Sequence, residues 1–137
     1  MDVQAYLSFE GRAEEAINFY KGALGAQVDM VMHFKDAPPE AQGRMDPKSK
    51  DKIMHAAFRI GDTQLMATDG YCSGKSEFSG ISLTYNAKSN DDAEKAFKAL
   101  GQGGQVGMPM SETFFAHKFG VVSDKFGVKW MVLHPKN

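Results

Sequence analysis

His117 lies in the run Phe115-Ala116-His117-Lys118-Phe119, whose alternation puts its imidazole on the same side as two phenyl rings. An imidazole among aromatic walls is equipped to hydrogen-bond a ligand, or to exchange a proton with it near neutral pH. The plainer alternative is a core histidine settled by one backbone carbonyl. His55 holds the matching place in an earlier run, and Arg59 shares its parity. The Arg59 guanidinium suits bidentate capture of an anion, or simple exposure to solvent. Tyr6 brings a phenol that orients a ligand or acts as a weak acid if it faces a cavity, and packs under a helix if its strand faces the other way. Trp130, Phe115, Phe119 and Phe126 supply apolar area, either for a ligand cup or for the core. The nine methionines, Met30, Met32, Met108 and Met110 among them, are soft surfaces suited to a permissive pocket or a dimer seam. Cys72 is the lone cysteine, so it forms no internal disulfide and excludes a cysteine-rich zinc site; it reads as an inert or surface thiol.

These side chains need strands to carry them, and the alternation of apolar residues provides those. Ala5, Leu7 and Phe9 alternate with polar neighbours between Val3 and Phe9, the period of a half-buried strand. Ala13, Ala16, Ile17, Tyr20, Ala23 and Leu24 then follow helical spacing up to Gly25, which supplies a left-handed stop. Alternation resumes through Val28, Met30, Met32 and Phe34, and again through Met54, Ala56, Phe58 and Ile60, before Gly61-Asp62 turns the chain into Gln64–Thr68. The same order recurs after Gly80. Ile81, Leu83 and Tyr85 alternate; Ser89 or Asn90 can cap a helix with the stripe Ala93, Ala96, Phe97 and Leu100; and three more strands follow, through Val106–Met110, Phe115–Val121 and Val128–Val132.

Position by position, Leu7 matches Leu83, Glu14-Glu15-Ala16 matches Asp91-Asp92-Ala93, His55 matches His117, and Leu65-Met66 matches Trp130-Met131. That order predicts an internal duplication of a β-α-β-β-β unit, with halves of about 1–70 and 79–137. Two segments stand outside it. Lys35–Lys52 is polar, holds Pro38, Pro39 and Pro47, and is long for a connection, so a mobile flap or a disordered excursion is expected, with Asp36, Glu40 and Arg44 available to close over a ligand or to remain solvated. Gly70–Ser79 is rich in glycine and serine and reads as the linker between the halves.

At 137 residues the chain suits a single domain, and its composition is that of a globular protein. Sixteen basic and seventeen acidic residues, spread along the chain, leave no electrostatic footprint for nucleic acid. No apolar run reaches the length of a membrane span, and the first residues lack a signal peptide pattern, so the cytoplasm is the expected location.

The segment from Phe114 to Gly120, followed by Asp124-Lys125-Phe126-Gly127-Val128-Lys129-Trp130, resembles the closing signature of PhnB-like proteins in the vicinal oxygen chelate superfamily. The opening Tyr6-Leu7-Ser8-Phe9, with Glu14-Glu15-Ala16 and Phe19-Tyr20, resembles that family too, as do Leu24-Gly25 and Ile60-Gly61-Asp62. The resemblance implies the glyoxalase, bleomycin-resistance and extradiol-dioxygenase fold: α+β, with two βαβββ modules forming a curled mixed sheet around a central cavity. It also implies, for metal-dependent members, His, Gln or Glu ligands on the first and last strands of each module. Here those strands carry Gln4, Ala5 and Tyr6, then Ser82 and Thr84, then Met131 and Val132. A catalytic divalent site needs about three converging ligands, and only His55, His117, His134 and Asp69 remain as unconventional candidates. No metal and no cofactor are therefore expected. The family is also labelled a demethylubiquinone methyltransferase domain, yet Gly101-Gln102-Gly103-Gly104 follows a helix and reads as a stop and turn, not as a nucleotide-binding loop. The expected function is binding of a small molecule in an aromatic-lined cup, with Tyr6, His55, Arg59, Phe115, His117 and Trp130 as ligand-binding candidates. A metal-dependent lyase, isomerase or dioxygenase is the alternative, and methyltransferase-like activity a third. The expected assembly is a homodimer, by analogy and because twofold assemblies are the commonest.

Overall fold

Ala13, Ala16, Ile17 and Tyr20 are buried along one side of helix α1 (Ala13–Leu24) in the computed structural model, which describes residues 1–42 and 47–137. The helix ends where the sequence says it should: Gly25 adopts φ 69°, and its N–H returns to the carbonyls of Lys21 and Tyr20. Its start has no local cap, since the Arg12 side chain makes no capping hydrogen bond. A remote carboxylate takes that role. Asp69 Oδ1 accepts from the N–H groups of Gly11 and Ala13, both at 2.8 Å, and Oδ2 accepts from Ile53 N–H at 2.8 Å. A buried anion at a helix N-terminus, with three donors aimed at it, is satisfied electrostatically and by hydrogen bonds alike.

The chain divides into two units, Met1–Ser76 and Glu77–Asn137, and the division falls inside the segment read as a linker. In the first unit, β1 (Tyr6–Ser8), β2 (Gln27–His33), β3 (Ile53–Ile60) and β4 (Thr63–Thr68) form a sheet in the order β1-β4-β3-β2. β1 runs parallel to β4 and the other pairs are antiparallel. In the second, β5 (Ser82–Asn86), β6 (Gln105–Ser111), β7 (Ala116–Ser123) and β8 (Lys129–Pro135) form a sheet in the order β5-β8-β7-β6, again with one parallel pair, β5 with β8. The second sheet is packed under α3 (Asn90–Leu100), whose N-cap Ser89 accepts from Asp92 N–H. Among the described residues the fold is thus α+β, with eight strands in two mixed sheets and one long helix per unit, and the two units repeat the same topology.

Alternation breaks at a matching place near the start of each second strand. Val28 faces Phe58 and Met30 faces Ala57, so Asp29 is an extra, unpaired residue in a bulge. Val28 therefore lies on the other face from Met30 and Met32, not in line with them as simple alternation expects. Gly107 holds the same place between Val106 and Met108. Gly101 ends α3 in the right-handed region at φ −77°, and the left-handed turn comes later at Gly103, φ 75°.

The segment after β2 is not disordered at its ends. Phe34 N–H donates to the Lys52 carbonyl and Lys35 N–H to that of Lys50, while Ala37 is buried. Short turns at Phe34–Asp36 and Pro47–Ser49 flank α2 (Pro39–Gln42). Asp36 accepts from His33 N–H at 2.9 Å and Glu40 is exposed, whereas Arg44 lies outside the described residues.

Candidate functional site

Phe58 stacks on Tyr20 of α1, with ring centroids 6.1 Å apart, which fixes the helix-covered face of the first sheet. By strand alternation His55, Ala57 and Arg59 point to the opposite face. Cross-strand register adds neighbours there, since Ala57 pairs with Met66 and Met66 with Tyr6, while Met30 and Met32 face Ala57 and His55. Tyr6 is 52% exposed, and its phenol is hydrogen-bonded to His55 Nδ1 at 2.8 Å. The two rings meet edge to face, with centroids 5.4 Å apart. The phenol is therefore not packed under the helix. A phenol and an imidazole joined in this way hold each other's orientation and can relay a hydrogen bond or a proton to a molecule lying on the face.

Arg59 lies four residues from His55, about 13 Å along the strand. Its Nε donates to both Asp29 oxygens at 2.9 and 3.0 Å, and its Nη2 donates to Gln27 Oε1 at 3.1 Å. Gln64 also donates to Asp29, at 3.2 Å, and Gln4 donates to Gln64 at 2.8 Å. The Gln64 bond, then the Arg59 bond and charge, hold the Asp29 carboxyl below its ordinary range. Arg59 already has a carboxylate partner, so it anchors the edge of this face more than it awaits an anion.

The second unit places its candidates differently. Phe115 packs on Phe119 with centroids 5.3 Å apart, and Phe114, 93% exposed, packs on Phe115. A register shift between Ala116 and Lys118 breaks the alternation at His117, whose ring lies against His134 at 4.8 Å. His117 thus joins a histidine pair, and the expected line of Phe115, His117 and Phe119 does not form. His134 Nδ1 is hydrogen-bonded to Asn90 at 2.8 Å. Trp130 is buried at 3% exposure, and its indole N–H donates to Asp124 at 3.0 Å. It pairs with Val122, which lies beside Gly101 at the end of α3, so the indole belongs to the helix-covered core. Gly120 shares that face, because a Cβ there would lie 2.7 Å from both Met110 and Phe97.

Of the six expected ligand-binding residues, Tyr6 and His55 are in contact, Arg59 borders the same face, Phe115 packs on Phe119, His117 on His134, and Trp130 is core. Asp29 and Gln64 were not anticipated; an aspartate inside an apolar strand is the one signal that could have marked the bulge.

The donor set does not fit a catalytic metal. Asp69 is occupied by three backbone N–H groups, and His55 and His134 each have a side-chain partner through Nδ1. Among the described residues, no three His, Cys, Asp or Glu side chains are grouped as a metal site requires. Nor do the residues fit a nucleotide-like cofactor at Gly101–Gly104. That run joins α3 to β6, and Gly104 is closed off by the Ser123 carbonyl. No helix among the described residues is long and apolar enough to cross a membrane.

Two sheets of this topology, each covered by one helix, make the glyoxalase/bleomycin resistance fold, which distantly similar solved proteins of that description share. Within it, the chain belongs to the PhnB-like family whose profile, described as 3-demethylubiquinone-9 3-methyltransferase, matches residues 1–133. Protein YjdN of Escherichia coli is 36% identical over 140 residues, covering 96% of this chain and 94% of YjdN. The crystal structure of PA1353 from Pseudomonas aeruginosa is 37% identical with a TM-score of 0.85, covering 100% of this chain and 99% of that one. The PhnB protein of Bacillus cereus is 26% identical with a TM-score of 0.80, covering 98% of this chain and 99% of that one.

Proposed function

We propose that this protein binds a small, flat, largely apolar molecule carrying a hydroxyl or carbonyl oxygen, on the face of the first sheet turned away from α1, without a conventional metal triad. The observation that carries this reading is the Tyr6–His55 hydrogen bond of 2.8 Å on a face otherwise furnished with Met30, Met32 and Met66. The couple supplies one directed hydrogen bond, and the thioethers supply soft contact for an aromatic ring. The family description supports a ring-shaped ligand, since it names a demethylubiquinone; the methyl transfer it also names has no support in the glycine-rich turn. The bleomycin-resistance likeness extends only to the fold, so it leaves the ligand's identity to chemistry.

A second reading has one observation in its favour. The same phenol–imidazole couple is an acid–base pair, so a metal-free proton transfer on the bound ring would need no further residue. A cytoplasmic homodimer is part of the same proposal, and sedimentation of the purified chain checks the dimer. Calorimetric titration with substituted phenols and quinones tests the binding. The wild type is expected to bind at least one of them, and Tyr6→Phe to bind it about tenfold more weakly, the loss of one directed hydrogen bond. Equal binding by wild type and both Tyr6→Phe and His55→Ala would overturn the assignment of this face.

A further inference from the structure

On the other side of the first sheet, between α1 and β2, lies a cleft of about 270 Å³ that the ligand face does not use. One wall is the helical stripe Glu14, Ile17, Asn18 and Lys21, at i, i+3, i+4 and i+7. Val28, Val31 and Ile53 complete an apolar middle with Ile17, in which Val31 remains 40% exposed. The ends are charged and opposite. Glu14 and His33 lie toward the start of the helix, where Ile53 N–H and Ala13 N–H share the Asp69 carboxylate. Lys21 lies toward its end, near where the chain turns into β2. Seven residues of helix separate the two charges by about 10 Å. His33 is turned toward Asp36 at 3.6 Å, whereas the side chains of Glu14 and Lys21 make no hydrogen bond or ion pair with the described residues.

The duplication provides an internal control. The position of Ile17 is taken in the second unit by Glu94, which is ion-paired to Lys118 at 2.9 Å. There the stripe is closed by the protein's own charges, and in the first unit it is left open.

We infer that this cleft is a second binding site, for an elongated zwitterion with an apolar middle, its ammonium at Glu14 and its carboxylate at Lys21. Opposite charges at the two ends match only a molecule that carries both, and the apolar floor disfavours a polar chain between them. A medium-chain ω-amino acid supplies this chemistry, and so does an apolar tripeptide with free termini, whose extended length is about 10 Å.

The test is a titration of the isotope-labelled full chain with 8-aminooctanoate, octanoate, octylamine and trivaline, followed by amide and methyl resonances. The zwitterions are expected to shift Ile17, Val31 and Ile53 while leaving Tyr6 and His55 unmoved, and to bind about threefold to fivefold more tightly than either singly charged chain, the scale of one exposed ion pair. Lys21→Ala should remove the advantage over octylamine, and Glu14→Ala the advantage over octanoate; both side chains are exposed and have no partner among the described residues, so the fold should survive. Tighter binding of trivaline than of 8-aminooctanoate would assign the site to peptides, and the reverse to ω-amino acids. Equal affinities for charged and zwitterionic chains, shifts confined to other residues, or no shifts at all would overturn the inference. None of these outcomes bears on the Tyr6–His55 face, so the two sites succeed or fail separately.

Discussion

The two halves of this chain keep the same skeleton and part company wherever a side chain could do chemistry. Each has a buried aspartate that accepts from several donors. Asp69 gathers Gly11, Ala13 and Ile53 from two distant segments, whereas Asp124 gathers Phe126 and Val128 from its own turn and the indole of Trp130 from the adjoining β8. On the faces away from the helices the contrast is sharper. The first unit has the Tyr6–His55 couple and the Arg59–Asp29 anchor; by strand register the second has Thr84 where Tyr6 would be and Phe119 where His55 would be, and its His117 lies against His134. Duplication preserves what packing demands and leaves the exposed positions to diverge. A polar face that is hydrogen-bonded yet exposed is therefore more informative than either core.

The largest effect expected from this comparison is on stability. Asp69→Ala leaves three backbone donors without their acceptor, at a cost of about 3 kcal/mol or more in urea unfolding. Asp124→Ala should cost less, about 2 kcal/mol, because Phe126, Val128 and Trp130 lie within six positions of it, whereas the partners of Asp69 tie together segments up to 58 positions apart. If the order were reversed, the long-range staple would not be what distinguishes the first unit.

Next comes binding without a stability cost. Tyr6→Phe removes an exposed hydroxyl, so unfolding should move by less than about 0.5 kcal/mol while ligand affinity falls about tenfold. The matching change Thr84→Ala in the second unit should alter neither.

The smallest effect is on pH dependence. Burial, then the hydrogen bond to Asp92, pushes the Tyr85 phenol up to about 12. Because the folded value is raised, this stabilisation is complete below pH 10 and is lost as pH rises from there through about 12. Thermal melts of Tyr85→Phe should be flatter than wild type across that window. At the acid end, the Ser8 hydroxyl bond and the backbone donors Tyr71 and Ser73 hold the Glu10 carboxyl below its usual range. Glu10 sits at φ 50°, a strained conformation that these bonds support. Its contribution should be present above the ordinary glutamate range and fade as pH falls below it, which Glu10→Gln should blunt.

Much of the frame was legible in the sequence because it rests on local periodicity. The stripe from Ala13 to Leu24 with Gly25 gives α1 its bounds, and the recurring order of strands and helices gives the duplication. The bulges at Asp29 and Gly107 were not legible, since one extra residue changes no composition and only the partner strand reveals it. Asp69 was read as a metal candidate because its partners lie 16 to 58 positions away. Tyr6 and His55 were each visible as candidates, but their meeting depends on the register β1-β4-β3, which no single strand contains. Trp130 is a converse case: a large aromatic in a signature run suits a cup wall or the core alike, and only its pairing with Val122 puts it under the helix.

The most direct test of the central claim is ligand titration of natively purified protein with and without a strong chelator, with elemental analysis of the same sample. Metal well below stoichiometric, with affinity unchanged by the chelator and lowered in both Tyr6→Phe and His55→Ala, is the predicted result. Near-stoichiometric metal that is lost in His55→Ala, with binding abolished by the chelator, would contradict it.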